Sequence, residues 1–206
     1  CGVNTIGILE PGESGRWAFR SLAEQLPGEE AEQLGELWDL FVVGETIYAF
    51  SRRKMMRFNA AGARVWEFET EEMIYGFWSG SSVYIQVLGE GLYRLDDDET
   101  LKVSDAELFR RPGPRMLLDR GEELLVATIE QGLWIHDETG LHRFAREASS
   151  FLEGAFVNRG IRLPDGRLAL GTFERGVAIL SAEGELERVI DEASGLSGNT
   201  VTHLSL

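Results

Sequence analysis

The sequence predicts an all-β fold assembled from one repeated unit. A motif occurs four times, and each copy is a short apolar run, a hinge of three or four residues and a second apolar run. The copies are Ile47–Ala60, Val83–Asp96, Leu124–Asp137 and Leu168–Ser181. Self-similarity at a step of roughly 40 residues is typical of β-propeller blades, each of which is a small antiparallel sheet. We therefore predict a β-propeller.

Each repeat divides into four strands, most clearly in the third repeat. The predicted strands there are Arg115–Leu118, Leu124–Thr128, Leu133–His136 and Leu141–Phe144. Pairs such as Asp165-Gly166 and Glu183-Gly184 mark hairpin turns, because glycine adopts the positive φ that such turns need. The second strands are nearly continuous apolar runs, which indicates burial on both faces between neighbouring blades.

A glycine follows the hinge in three of the four repeats. Gly91, Gly132 and Gly176 occupy the same repeat position, whereas the first repeat has Met55 there. A shared glycine predicts a backbone conformation that other residues rarely adopt. The turn of the first repeat should therefore differ.

The ends of the chain carry incomplete repeats. We predict a single partial propeller domain over 1–206, with four full blades and two partial ones. The predicted blades cover 1–22 (partial), 37–69, 74–111, 115–146, 155–190 and 199–206 (partial). The partial pieces either form a composite fifth blade or leave open sheet edges, which are prone to aggregation. We therefore expect a fragment of a longer propeller and, if the edges are open, an edge-to-edge homodimer.

One segment lacks the strand pattern. Ser21–Leu40 is rich in Glu, Leu and Ala, and Pro27-Gly28 lies in its middle. The two interpretations are one or two short helical turns, or a polar loop. The Pro-Gly pair argues against a single long helix.

Composition and charge narrow the class of partner. The net charge is −15 at pH 7, and 43% of the residues are hydrophobic. An acidic chain is repelled by nucleic acid and by anionic membranes, so we expect neither as a partner. The charge serves either solubility and salt tolerance, or attraction to a cationic partner or metal ions. No apolar run reaches the roughly 20 residues of a membrane helix, and no signal peptide is visible.

The single cysteine is Cys1. It permits no disulfide within the chain and no cysteine-based metal site. Cys1-Gly2 resembles the start of a mature bacterial lipoprotein, in which the cysteine carries the lipid. The alternative is that Cys1 only marks where a longer chain was cut.

Residues with catalytic or metal-binding chemistry are sparse. His136, His142 and His203 show no metal-ligand spacing and are expected to be ordinary strand or surface histidines. The run Asp96-Asp97-Asp98-Glu99 is either a calcium site or a solvated hairpin tip, and it lacks the spacing of a calcium loop. No nucleophile elbow, P-loop or dinucleotide fingerprint appears. We expect no catalytic residue, no metal and no cofactor.

The repeat geometry predicts a ligand site at the hinges. Loops at the same repeat position should ring one mouth of a propeller, and polar groups at a concave mouth are a common ligand site. Arg52, Arg53 and Lys54 form the one dense basic cluster of the sequence, suited to a carboxylate ligand or an acidic partner, or else to a solvated loop. The candidate ligand-binding residues are Arg52, Arg53, Lys54, Glu90, Glu130, Gln131, Glu174 and Arg175.

Four tryptophans fall in predicted strands. They are Trp38, Trp66, Trp78 and Trp134. Trp134 aligns with Tyr93 and is expected to be a core residue between blades. An exposed tryptophan would instead offer a surface on which a sugar ring stacks.

The last repeat resembles a known family. Gly171-Thr172 and Gly176-Val177 are followed by Gly195-Leu196 and Asn199-Thr200-Val201. This order is similar to the two-component regulator propeller repeat, although Ser197 stands where the family usually has proline. Three N-terminal stretches also resemble early blades of such sensors: Asn4–Leu9, Phe19–Leu22 and Leu37–Leu40.

The resemblance implies a function and a location. Such propellers form the extracytoplasmic part of bacterial sensors, often hybrid histidine kinases, and their known ligands tend to be carbohydrates. It implies a periplasmic or extracytoplasmic module that binds a small molecule or oligosaccharide and signals to a downstream domain of the same chain. The rival hypotheses are a protein–protein scaffold, which should expose an apolar patch, and a glycan-acting enzyme, which should bring an acid and a base together.

Overall fold

The computed structural model describes residues 3–12, 15–31, 33–144 and 146–204. Cys1, with its two interpretations, lies outside these residues. The chain forms two compact units, Cys1–Asp105 and Ala106–Leu206. Both units consist of antiparallel sheets, so the prediction of an all-β fold is confirmed.

The first unit contains a two-stranded sheet and two four-stranded sheets. The strands pair in chain order within each sheet. The two-stranded sheet is β1 (Gly7–Pro11) and β2 (Trp17–Ser21). The next sheet comprises β3 (Asp39–Val43), β4 (Thr46–Phe50), β5 (Lys54–Asn59) and β6 (Gly62–Glu67). The third comprises β7 (Ile74–Ser79), β8 (Ser82–Val87), β9 (Gly91–Asp96) and β10 (Glu99–Ser104).

The second unit contains two four-stranded sheets and two short helices, α1 (Glu107–Arg110) and α2 (Arg146–Leu152). One sheet comprises β11 (Pro114–Asp119), β12 (Leu124–Thr128), β13 (Leu133–Asp137) and β14 (Gly140–Arg143). The other comprises β15 (Val157–Arg162), β16 (Leu168–Thr172), β17 (Val177–Leu180) and β18 (Leu186–Ile190). The first strands of both sheets shift register near their beginnings, between Pro114 and Met116 and between Val157 and Arg159, as expected of repeated units.

The four-stranded sheets occupy the regions of the four full repeats expected from the sequence, although β11 begins one residue earlier, at Pro114. The partial repeat at 1–22 contains the β1–β2 hairpin. The Ser21–Leu40 segment forms two short 3₁₀ turns, Ala23–Gln25 and Gly28–Ala31, which confirms the helical-turn interpretation. That these sheets are blades of one propeller domain over 1–206, with or without a composite fifth blade, stays a prediction.

The strand expected at 199–206 does not form over 199–204. A strand needs a neighbouring strand to satisfy its backbone. Here the Val201 amide donates to the carbonyl of Thr172 at 2.8 Å. The carbonyl of Thr202 accepts from the side-chain amide of Asn158 at 2.8 Å. Apolar side chains of this segment, among them Val201 and Leu204, pack on the face of β16 and β17.

The hinge glycines adopt the conformation predicted for them. Gly91, Gly132 and Gly176 have φ of 139°, 73° and 73°. A Cβ on Gly176 would lie 2.1 Å from the carbonyl oxygen of Ile190, so both the dihedral and the space exclude a side chain. The turn of the first repeat differs, as expected, and is one residue shorter. There the Ser51 amide donates to the carbonyl of Lys54, three positions on, whereas in the fourth repeat the Thr172 amide donates to the carbonyl of Gly176, four positions on.

Both faces of the β3–β6 sheet carry apolar cores. Met55 and Met56 are adjacent in β5 and fully buried. Because successive side chains of a strand point to opposite faces, each methionine belongs to a different core. Met56 packs in the cluster that holds Ile6 and Leu34, and Met55 packs in the cluster that holds Ile74 of the next sheet.

In the second unit, one apolar core lies between the two sheets, and another apolar cluster lies on the other face of β16 and β17. Leu125 and Ile135 from one sheet pack in the core between the sheets with Leu168 and Leu170 from the other. Among the described residues, no helix is long and apolar enough to cross a membrane.

Candidate functional site

In the first unit, the two predicted hinges are joined by the linker between their sheets, residues 68–73. Arg52 donates through Nε to the carbonyl of Glu72 at 3.0 Å. At the other hinge, the Leu88 amide donates to the carbonyl of Met73 at 3.1 Å, and the Thr70 hydroxyl donates to the carbonyl of Leu88 at 3.1 Å. The linker therefore brings both hinges to one face of this unit.

The second unit repeats this arrangement around residues 151–157. The Val157 amide donates to the carbonyl of Ile129 at 2.9 Å, and the Gly154 amide donates to the carbonyl of Glu130 at 3.2 Å. The Phe173 amide donates to the carbonyl of Phe156 at 3.1 Å. The hinges thus come together in pairs, one pair in each unit. A single mouth ringed by all four stays a prediction.

The first unit contains an open cleft of about 460 Å³ beside the basic hinge. One wall is residues 33–36 with Trp38, and the other is the hinge 51–54 with Glu67. The lining residues are Gln33, Leu34, Gly35, Glu36, Trp38, Ser51, Arg52, Arg53, Lys54 and Glu67. We call this space the hinge cleft. The predicted basic cluster is therefore part of a concave surface.

The wall at 33–36 is fixed by reciprocal hydrogen bonds with Asn4. The Asn4 amide donates to the carbonyl of Gly35 at 2.9 Å, and the Gly35 amide donates to Oδ1 of Asn4 at 2.7 Å. Gly35 has a φ of 72°, which glycine adopts without strain. Leu34 is buried in the core below. These contacts hold the wall in one geometry before any ligand arrives.

The three basic side chains of the hinge differ in what they contact. Arg52 donates to the carbonyls of Glu71 and Glu72, so it fixes the linker. Lys54 lies 2.6 Å from Oε2 of Glu30, and its side chain is only 15% exposed. Both residues therefore hold neighbouring segments together.

Arg52 and Arg53 are both exposed, and Arg53 is the one whose guanidinium faces a carboxylate rather than the linker. Its Nη2 lies 3.9 Å from Oε1 of Glu67, and both side chains are more than half exposed. A separation of 3.9 Å is too long for a hydrogen bond. The guanidinium and the carboxylate therefore retain their capacity to bind a ligand.

The walls of the hinge cleft also supply an aromatic surface and carboxylates. Trp38 is 38% exposed, and Glu36 is exposed on the same wall. Glu67 stands on the opposite wall next to Arg53. The cleft is thus a mixed polar site with both signs of charge.

Glu90 contacts a tyrosine. Its Oε2 accepts a hydrogen bond from the Tyr93 hydroxyl at 2.7 Å. Burial, then the hydrogen bond to Glu90 and its charge, raise the pKa of Tyr93 to about 12. Glu90 does not line the hinge cleft, and its contact indicates a role in holding β9.

The four candidates of the second unit lie on its hinges and are exposed. The Arg175 guanidinium donates to the carbonyl of Phe151 and lies over the Phe151 ring. The carbonyl of Gln131 accepts from the Trp134 indole at 3.2 Å. Trp134 is partly exposed, whereas the sequence predicted a core residue. Glu130 and Glu174 extend their side chains outward from these turns.

Two threonines close the hinge turns of this unit. The Thr128 hydroxyl donates to the carbonyl of Gly132 at 2.8 Å, and the Thr172 hydroxyl donates to the carbonyl of Gly176 at 3.0 Å. Both also accept a backbone amide from within the turn. Because both hydroxyls are buried, they give these hinges a fixed shape.

The acidic run at 96–99 forms the turn between β9 and β10, and Asp96, Asp97 and Glu99 are exposed, as expected of a solvated hairpin tip. Asp98 pairs with Arg57 at 2.8 Å and also with Arg64. Within the described ranges, no group of three or more His, Cys, Asp or Glu side chains is placed to hold a metal ion.

His136 packs edge-on against Phe109, and burial lowers the pKa of its imidazole below the ordinary value of 6.5. His142 lies 3.7 Å from Asp137, at an exposed strand end.

The sequence pattern had named Arg53 as a candidate ligand-binding residue, but it had not named residues 33–36, Trp38 or Glu67, which line the hinge cleft with it. The wall at 33–36 belongs to the segment without a strand pattern, and nothing local shows that it folds against the hinge. For Trp38, the sequence left two alternatives, packing in a core or stacking on a sugar ring. In the structure Trp38 is partly exposed and lines the hinge cleft. No sequence pattern pointed to Glu67 as a site residue, because it comes to lie opposite Lys54 only through the pairing of β5 with β6.

No protein-family model and no curated protein matches the sequence. Solved structures do share the fold. One is described as the extracellular domain of the hybrid two-component system BT3049 of B. thetaiotaomicron. Its TM-score is 0.58 and its identity 16%, over 80% of this chain and 23% of that chain.

Two further structures are similar at the level of fold. The extracellular domain described as that of the hybrid two-component system BT4673 of B. thetaiotaomicron has a TM-score of 0.53 and 14% identity, over 82% of this chain and 24% of that chain. The computationally designed Ika8 protein has a TM-score of 0.52 and 8% identity, over 72% of this chain and 46% of that chain. The chain thus spans less than half the length of each. At these identities the likeness concerns the fold alone, and it includes a designed protein as well as natural extracellular domains.

Proposed function

We propose that this chain is a non-catalytic, ligand-binding propeller module of a bacterial sensor protein, located outside the cytoplasm. It recognises a small molecule or glycan at the loop face and passes the signal to a downstream domain of the same parent chain. The observation that carries the proposal is the hinge cleft, which includes the basic hinge residues Arg52, Arg53 and Lys54 among its lining. The likeness in fold to extracellular domains of two-component systems supports the proposed sensor role and the proposed location outside the cytoplasm.

The geometry of the hinge cleft favours ligand binding. Its volume of about 460 Å³ lies within the range of small-molecule sites. Arg53 and Glu67 offer hydrogen-bonding groups that are not engaged with each other, and Trp38 offers an aromatic surface. The wall opposite the hinge is held by Asn4. A site held in one geometry binds more tightly, because less ordering is needed on binding.

A scaffold function is the second candidate, and one surface favours it. On the β1–β2 hairpin, Leu9, Trp17 and Phe19 are 63%, 69% and 55% exposed. Leu9 and Phe19 are paired across the hairpin, so they share a face. Exposed aromatic residues on one face are typical of protein contacts.

A thermal-shift screen against neutral and acidic oligosaccharides tests the sensor proposal, because a ligand of the folded state raises the melting temperature. A ligand whose shift disappears in Trp38→Ala but persists in Trp134→Ala supports binding at the hinge cleft. A flat screen on folded protein, together with capture of a protein partner that Trp17→Ser abolishes, would favour the scaffold instead.

A further inference from the structure

The charges around the hinge cleft are unevenly engaged. Arg52 donates through Nε and Nη2 to carbonyls of the linker, and Lys54 donates to Glu30. Arg53 and Glu67 face each other at 3.9 Å without a hydrogen bond, and both are more than half exposed. One guanidinium and one carboxylate therefore stand side by side, each with free capacity.

A second carboxylate stands on the opposite wall, because Glu36 is exposed there. A purely anionic ligand at Arg53 would meet repulsion from Glu36 and Glu67. It would also approach against the field of a chain with a net charge of −15. A purely cationic ligand would meet Arg53. Repulsion between like charges therefore weakens the binding of a purely anionic ligand and of a purely cationic ligand.

A ligand that carries both charges avoids these penalties. Its carboxylate can accept the paired donors of Arg53, which suit a carboxylate geometrically. Its ammonium can donate to Glu67 or Glu36. Trp38 then offers its ring to an apolar side chain or to the ammonium itself.

We propose that the hinge cleft binds a small zwitterion, namely a free α-amino acid or a short peptide with free termini. This inference rests on the proposed ligand-binding function and names the ligand class of the same site. The carboxylate binds Arg53, the ammonium binds the Glu67 and Glu36 side, and Trp38 covers the apolar group between them.

Three derivatives of one compound test the charge requirement. L-Phenylalanine carries both charges, N-acetyl-L-phenylalanine carries only the negative one, and L-phenylalanine amide carries only the positive one. The dipeptide Gly-Phe extends the test to peptides. At saturating concentration, we expect L-phenylalanine or Gly-Phe to raise the melting temperature by roughly 3 °C or more. The two singly charged derivatives should leave it unchanged.

Two variants address the two charges separately. Arg53→Gln and Glu67→Gln should each weaken zwitterion binding by about tenfold or more in calorimetric titration. Arg20→Gln is the matched control, because Arg20 pairs with Glu10 on the hairpin, away from the hinge cleft. The control should bind like the wild type.

The outcomes separate this inference from the proposed function. If N-acetyl-L-phenylalanine binds as tightly as L-phenylalanine, the zwitterion proposal is wrong but the ligand site stands. The same conclusion follows if only oligosaccharides bind and their binding depends on Trp38. The absence of any thermal shift with sugars, amino acids and peptides, on protein with a cooperative melt, would overturn both.

Discussion

The carboxylate of Asp98 binds the guanidinium of Arg57 at 2.8 Å and so links two neighbouring sheets of the first unit. Arg64 contacts the same carboxylate, and the Trp66 indole donates to the carbonyl of Asp98 at 3.1 Å. Both guanidinium groups also lie over the Trp66 ring, 5.3 and 5.1 Å from its centre. A turn at the end of β9 is thereby attached to β5 and β6.

Removing the Asp98 charge should destabilise the first unit. The Arg57 side chain is 19% exposed, and its buried Nε has no hydrogen-bond partner among the described residues. Asp98→Ala would leave this guanidinium without its carboxylate. We expect a loss of about 1–3 kcal/mol in the free energy of unfolding, measured in urea. Asp97→Asn is the control, since Asn tolerates the φ of 51° found there. Equal midpoints for Asp98→Ala and wild type would contradict the link.

The hinge glycine Gly176 should not tolerate a side chain. Gly176→Ala places a Cβ 2.1 Å from the Ile190 carbonyl oxygen in a left-handed backbone. We expect a loss of roughly 1–3 kcal/mol in chemical denaturation. Gly195→Ala separates the two causes, because Gly195 has a φ of 108° but no atom within 4 Å of an added Cβ. If Gly176→Ala lowers the free energy of unfolding no more than Gly195→Ala does, the close approach to the Ile190 carbonyl is unimportant.

Acidification should weaken the second unit through His136. Because burial lowers its pKa in the folded state, the unfolded chain binds a proton first as the pH falls. Stability should therefore fall as the pH drops below about 6.5, until the folded state also protonates. We expect His136→Gln to reduce the dependence of the melting temperature on pH in this window. His203→Gln, measured alongside, shows whether losing any histidine has the same effect. Identical pH profiles for His136→Gln and wild type would exclude this cause.

Glu90 should contribute to the high pKa of Tyr93. In ultraviolet titration, with Tyr93→Phe used to subtract the other tyrosines, Tyr93 should ionise near pH 12. Glu90→Gln removes the negative charge and should lower this midpoint. Because burial is the larger cause, the midpoint should stay above the ordinary value of 10. In the wild type, stability should fall as the pH rises from 10 towards 12, since the unfolded chain loses its proton first. An unchanged midpoint in Glu90→Gln would show that the hydrogen bond does not form in solution.

The strands and turns were predictable from the sequence because their causes are local. Alternating and continuous apolar runs indicate strands, and the glycine after the hinge needs a positive φ wherever the repeat places it. Pro27-Gly28 argued against one long helix in the Ser21–Leu40 segment, but the choice between short helical turns and a polar loop stayed open until the fold was known. The segment at 199–204 was predicted wrongly, because a strand also requires a neighbour that the sequence does not show.

The sequence alone therefore determined the repeat, the all-β class and the hinge as a candidate site. Tertiary structure decided what each basic side chain of the hinge contacts. Arg52 and Arg53 are adjacent and chemically identical, yet Arg52 binds carbonyls about 20 residues away and Arg53 faces Glu67. It also decided that Asp98 binds Arg57, 41 positions earlier, rather than solvent. Local sequence sets backbone conformation, but the partners of a charged side chain depend on which distant segments the fold brings within a few ångströms.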